Sequence, residues 1–140
     1  MKAESSAKLR AYRILRQMER YRAIQSPAEL PSWVGQDSFV GAEQVIGVYE
    51  NTAHSDEDSI VITTHGLYFR APAAHYVRYS EIRDVSVAGP KTDAREITID
   101  LRNGERLKIA VRGGTGRLRD AFELLRFLRR VTEDWRAYSR

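Results

Sequence analysis

Residues 95–111 read REITIDLRNGERLKIAV, and the phase of this stretch decides the class of fold. Ile97, Ile99 and Leu101 alternate with Glu96, Thr98 and Asp100, the period of two that marks a strand with one face in a core and the other in water. Asn103-Gly104 follows at once and is a strong hairpin signal, because glycine takes a positive φ without steric cost. RLKIAV at 106–111 supplies the returning strand. The stretch is a predicted antiparallel hairpin.

Upstream, the same period recurs in EQVIGVYE (43–50), SIVITT (59–64), LYFR (67–70), YVRYS (76–80) and RDVSVA (83–88), with His65-Gly66 as a tight turn. With the hairpin this makes seven short β-rich runs. The gaps between them leave no room for the helical crossovers of a parallel sheet, so an antiparallel meander is expected and a parallel nucleotide-binding sheet is excluded. Downstream of Gly116 the period becomes helical as far as Tyr138. Leu118, Ala121, Phe122, Leu124, Leu125, Phe127, Leu128, Val131, Trp135 and Tyr138 spread over more than half of the helical wheel. That stripe is wider than one sheet face requires.

The first 25 residues carry a second helical pattern, with Ala7, Ala11, Ile14, Met18, Tyr21 and Gln25 in steps of four and three, and Arg10, Arg13, Arg16 and Arg20 on the opposite arc. A narrow, partly alanine stripe makes a marginal helix in isolation, so this one needs a surface to lie on. SPAELPSW at 26–33 follows, a short capped turn that Pro31 ends, and residues 26–41 read as a connector anchored by Trp33 and Phe39. The expected organisation is an N-terminal cationic amphipathic helix over 1–25, this connector, and one α+β, mainly β, domain over 42–138.

Composition narrows the function classes. A chain of 140 residues with 42% hydrophobic and 30% charged residues has the balance of one globular domain, and no apolar run approaches the ~20 residues of a membrane span. With no cysteine, disulfides, thiolate nucleophiles and cysteine-ligated metals are excluded together. The first 25 residues lack the apolar core of a secretory signal, so a cytoplasmic location, peripheral to a membrane in the alternative below, is expected. The net charge of +4 is uneven: residues 1–25 hold seven basic and two acidic side chains, and the remainder is close to neutral. The basic signal belongs to the first segment.

In pattern and order, SIVITTHGLYFR, YVRYSEIRDVSV and REITIDLRNGERLKI followed by a long amphipathic helix resemble the pleckstrin-homology-like superfold, in particular its small bacterial PH and GRAM-like domains. The resemblance covers residues 42–138. It implies a seven-stranded antiparallel barrel capped by the C-terminal helix, and a binding function without chemistry. Eukaryotic members bind phosphoinositides through a basic loop between their first two strands. Here that loop reads NTAHSDED, with Asp56, Glu57 and Asp58 and no basic residue, which repels phosphate and argues against a phosphoinositide ligand.

The chemically suggestive motifs resolve against catalysis. VRGGTGRLRD (111–120) lacks the Lys-Ser/Thr ending of a mononucleotide loop, and Arg119 stands where a dinucleotide fingerprint needs its third glycine. It reads as a connector with Thr115 as helix N-cap; an incidental anion site using Arg112 and Arg117 is the alternative. His54, His65 and His75 fall on separate turns, a poor metal trio, and His54, Asp56 and Asp58 are too close in sequence to close a cation site. Glu81 and Asp84 are separated carboxylates with no nucleophile beside them. No enzyme activity, cofactor or metal is expected. The reading is a protein-interaction module, an adaptor or small antagonist, whose contact residues are Arg13, Arg16, Arg20, Trp135, Tyr138, Asp56, Glu57 and Asp58. The alternative is a peripheral binder of anionic membrane through the arginine face. Tyr12 alone interleaves with those arginines, which argues against nucleic acid. The surplus apolar surface of the last helix is expected either to receive the first helix or to meet another molecule, a second copy of the chain included.

Overall fold

The computed structural model describes residues 3–24, 29–34, 43–52, 58–70, 73–87, 95–113 and 120–138. Helix α1 is Ala3–Ile14, followed by a 3-10 turn at Leu15–Gln17; the strands are β1 Tyr21–Ala23, β2 Val45–Glu50, β3 Ser59–Thr63, β4 Gly66–Arg70, β5 Ala74–Arg78, β6 Ile82–Ser86, β7 Glu96–Leu101 and β8 Arg106–Ala110; helix α2 is Asp120–Tyr138. The strands form two antiparallel sheets, β1-β2-β3-β4-β5 and β6-β7-β8, so the chain is α+β and mostly sheet. Each of the seven runs read from the sequence holds a strand, except that Tyr79 and Ser80, read as the end of the fourth run, form a 3-10 turn with Glu81; Ala88 lies outside the described residues. Among the described residues no ladder joins the two sheets, so they do not close into a barrel.

The eighth strand corrects the first-helix expectation. The helical pattern does not continue to residue 25: Met18 turns to extended backbone, and Tyr21 pairs with Tyr49 in an antiparallel ladder. Pairing along the open edge of β2 satisfies backbone groups that further helical turns would have satisfied locally, and it half-buries Tyr21. Gly47 permits this, because a β-carbon there would collide with the Tyr21 ring.

The deciding hairpin forms as its pattern dictates. Ile97, Ile99 and Leu101 are buried, Glu96 is exposed, and Thr98 and Asp100 are half-buried. Gly104 adopts φ 92° and donates to the Leu101 carbonyl at 3.0 Å, while Leu101 donates to Glu105 at 2.8 Å, closing a three-residue loop with glycine in the left-handed position. At the β3–β4 turn the Thr63 hydroxyl accepts from the amides of His65 and Gly66 at 3.1 and 2.9 Å.

Two cores flank the larger sheet. The main one gathers α1, α2 and the inner faces of both sheets; the smaller lies on the outer face, where Val48, Val61 and Tyr68 receive Ile24 and Val34, with Leu30 and Trp33 packed against them. Trp33 anchors the connector as expected, its indole N–H donating to Ser59 Oγ at 3.1 Å; Phe39 lies outside the described residues. A bulge between Val45 and Gly47 makes Ile46 the extra residue, which places Ile46 and Tyr49 with the main core but Val45 and Val48 with the outer one. Among the described residues, the surplus stripe of α2 is covered within the chain wholly at Phe127 and Val131 and partly at Trp135. Phe127 and Val131 are fully buried with Ala7, Ala11 and Ile14 in the same core, and Arg10 grips Asp134 by two bonds of 3.2 and 3.4 Å. The small alanines let α1 lie close against α2.

Ile99→Asp is expected to unfold the protein by placing an unpaired carboxylate in the main core, a loss of about 4 kcal/mol or more. Thr98→Asp, on the other face of the same strand, is expected to melt within a few degrees of the parent. Circular dichroism melts of the two variants check the strand phase.

Candidate functional site

Three polar assemblies are candidates, and the first lies where the glycine stretch begins. Tyr49, at the inner end of β2, donates its hydroxyl to Asp120 Oδ2 at 2.7 Å and accepts from the Gly113 amide at 2.9 Å, while the Asp120 amide donates to the Gly113 carbonyl at 3.1 Å. The two ends of segment 113–120 are thereby clasped. Glycine is required at 113, since a β-carbon would strike Asp120, the Tyr49 hydroxyl and the Arg20 stem. Burial, first, and the Asp120 carboxylate, second, push the Tyr49 hydroxyl well above its ordinary range. Burial likewise raises the Asp120 carboxyl, assisted by Glu123 and Glu19 and opposed by the Tyr49 bond and Arg20. The Gly113 amide, which a phosphate cradle would leave open, is spent on Tyr49. Gly114, Thr115, Gly116 and Arg117 lie outside the described residues.

Beside this clasp, Asn51 bridges the two sheets. Its side-chain amide donates to Ala110 at 2.8 Å and accepts from the Arg112 amide at 2.7 Å, doing across the seam what a ladder does within a sheet. Arg20 donates to the Asn51 carbonyl. This placement corrects the expectation for Arg20: the chain leaves the helix before it, so its guanidinium serves the seam rather than the arginine face. Asp58 is also engaged internally, in an ion pair with Arg112. Asp56, Glu57, His54 and the Tyr138 side chain lie outside the described residues.

The helical layer holds the second assembly. Arg13 and Arg16 are exposed, and the Arg16 guanidinium lies 4.6 Å over the Tyr12 ring. Tyr12, 63% exposed, is the one large apolar side chain in open solvent among the described residues. Trp135 is half-buried against the main core, its ring 5.1 Å from that of His65, which also lies 3.7 Å from Glu4. Trp135, expected on the outer rim, is thus partly covered by the core and partly open. His75 stacks on Phe69 and is remote from His65; among the described residues no three His, Asp or Glu side chains gather as a metal set. Glu81 accepts from the Arg78 amide at 3.1 Å as a local cap.

The third assembly is a cleft of about 180 Å³ between residues 82–85 of β6 and residues 129–136 of α2. Arg136 donates to the carbonyls of Ile82 and Arg83, and a bulge at Ile82/Asp84 adds to this blunting of the sheet edge. Sequence reading missed the cleft, since its arginines and carboxylates look like a solvated helix face until β6 is laid beside them. No family model matches this chain, and no curated protein or solved structure matches it.

The clasp predicts a pH signature. Because the folded carboxyl of Asp120 sits above its ordinary value of 3.8, folding favours the protonated form; the linked stability is full below that value and is lost as pH rises through the raised folded value. Asp120→Asn, which keeps an acceptor for Tyr49, is expected to melt at or above the parent temperature at neutral pH, with the difference narrowing towards about pH 4. Tyr49→Phe, which orphans the Gly113 amide and Asp120, is expected to cost about 1–3 kcal/mol at neutral pH. Thermal melts across that pH range read both.

Proposed function

We propose that this chain is a non-catalytic protein-interaction module, a cytoplasmic adaptor or small antagonist, built on a pleckstrin-homology-like arrangement of two antiparallel sheets and a closing helix. In support of that arrangement, β2 to β5 precede β6 to β8, and α2 follows. α1 and β1 are additions to it.

The observation that carries the reading is the Tyr12 patch. Every other large apolar side chain described is at least partly covered by the fold, the flank of α2 included, whereas Tyr12 stands in solvent under the Arg16 guanidinium with Arg13 beside it in sequence. Tyrosine and arginine are the residue types over-represented at the energetic centres of protein interfaces, and a cationic, aromatic patch complements an acidic partner surface. With α1 packed on α2, self-association through exposed helix flanks loses its driving force.

A second reading, binding to an anionic membrane surface, draws on the charge distribution. α1, its 3-10 extension and α2 hold eight basic and five acidic side chains, nearly the whole net charge of +4, and Lys8, Arg13, Arg16, Arg126, Arg129 and Arg130 are exposed. Tyr12 alone offers little apolar insertion, which ranks this reading second.

A photo-crosslinking side chain at position 8, exposed one helical turn before Tyr12, is expected to capture a protein partner from cells. Tyr12→Ala and Arg16→Glu are each expected to weaken the captured complex at least about tenfold while changing stability by less than about 0.5 kcal/mol. Co-sedimentation with phosphatidylserine vesicles at two salt concentrations separates the readings: salt-sensitive sedimentation with no protein captured selects the membrane.

A further inference from the structure

We propose that the cleft between β6 and α2 is a binding site for a small apolar zwitterion of amino-acid size, a ligand carrying a carboxylate and an ammonium group a few bonds apart. The site shares no residue with the Tyr12 patch and goes beyond the interaction reading.

Size sets the first limit. At about 180 Å³ the cleft falls below the roughly 300–1,000 Å³ typical of drug-sized ligands and equals about six waters' share of liquid volume, so it suits one amino acid rather than a nucleotide. Charge sets the second. Arg83, Arg129 and Arg136 line the cleft with Asp84 and Glu133, and none of these five forms an ion pair with another. A simple anion would meet two carboxylates and a simple cation three guanidinium groups; a ligand bearing both charges can satisfy both sets. Arg129 and Glu133 stand four residues apart on α2, a spacing that holds neighbouring side chains about 5–6 Å apart at their β-carbons, suited to gripping the two ends of an α-amino acid.

The positive pole is set in advance. The carbonyls of Ile82 and Arg83 hold the Arg136 guanidinium, whose fork has further N–H donors to offer. Thr132, in the same wall and 5% exposed, has a hydroxyl buried without a hydrogen-bond partner, a donor that a carboxylate can use after a small shift. Ile82 and Val85 give the cleft an apolar component, which favours a branched aliphatic side chain on the ligand.

The test titrates isotopically labelled full-length protein with L-leucine, with 4-methylpentanoate (the same skeleton without the amine) and with 3-methylbutylamine (without the carboxylate). Leucine is expected to give saturable amide shifts confined to residues 82–86 and 129–136, with each half-ligand at least about tenfold weaker. Arg129→Gln and Glu133→Gln, both at exposed positions and checked for unchanged melting, are each expected to weaken leucine about tenfold. Equal affinity for 4-methylpentanoate would make this an anion site, equal affinity for the amine a cation site. No saturable shift at the cleft with leucine, or leucine binding untouched by both variants, would also overturn the proposal.

Discussion

The hydroxyl of Tyr49 joins three parts of the chain that lie far apart in sequence: the end of β2, the segment leaving β8 at Gly113 and the first residue of α2. Because it is buried, its two hydrogen bonds cannot be exchanged for water, and displacing any of the three parts strands a polar group at a cost of about 1–3 kcal/mol. α2 must therefore start where the clasp puts it. From that start its apolar residues fall over the inner faces of both sheets, and its far end reaches His65 and the residues of β6. Asn51 repeats the device one residue beyond β2, spanning the two sheets with a side-chain amide where no ladder does.

The second constraint is area. An apolar stripe covering more than half of a helix is not hidden by one sheet face: Phe127 meets the Tyr79 ring at 6.1 Å and Trp135 the His65 ring at 5.1 Å, while Ala7, Ala11 and Ile14 of α1 join Val131 in the same core. The alanine stripe of α1 meets this need because small side chains permit close approach. Glu4, in the first turn of α1, lies near His65, whose ring meets Trp135 late in α2, and Arg20, downstream of α1, lies near Asp120 at the start of α2, so the two helices run antiparallel. Once α1 is committed in this way, its remaining faces are those outside the seam, and they are basic, with Tyr12 among them.

The polar clusters divide by how completely they are satisfied. Glu43 accepts from the hydroxyls of Tyr68, Tyr76 and Thr63, and the two tyrosine rings stack at 4.1 Å beneath the connector; burial, then the carboxylate, raises both phenols. Every oxygen in that group is engaged, so it specifies packing and offers nothing to a ligand. The β6–α2 cleft is the opposite case, with charges of both signs held apart and a buried hydroxyl without a partner. Incomplete satisfaction is the property that distinguishes it from the structural clusters around it.

Strand identity was legible along the chain because it depends on neighbours two residues apart. The alternation in 95–101, the glycine at 104 and the runs between 43 and 88 each carry their own solution, and tertiary packing agreed with all of them. Tyr21 shows where that logic stops: its spacing from Ile14 and Met18 satisfies a helix, yet β2 presented a free edge and Gly47 a bare surface for its ring, and the non-local ladder prevailed. The candidate contact residues divide in the same way. Arg13 and Arg16 are exposed as a helix face predicts, whereas Arg20, Trp135 and Asp58 were drawn into bonds or packing with residues 31, 70 and 54 positions away. Local periodicity determines which face of an element is apolar. Only the closed structure decides what covers that face, because the covering partner is chosen by burial and hydrogen bonding between segments whose separation in sequence carries no periodic signal.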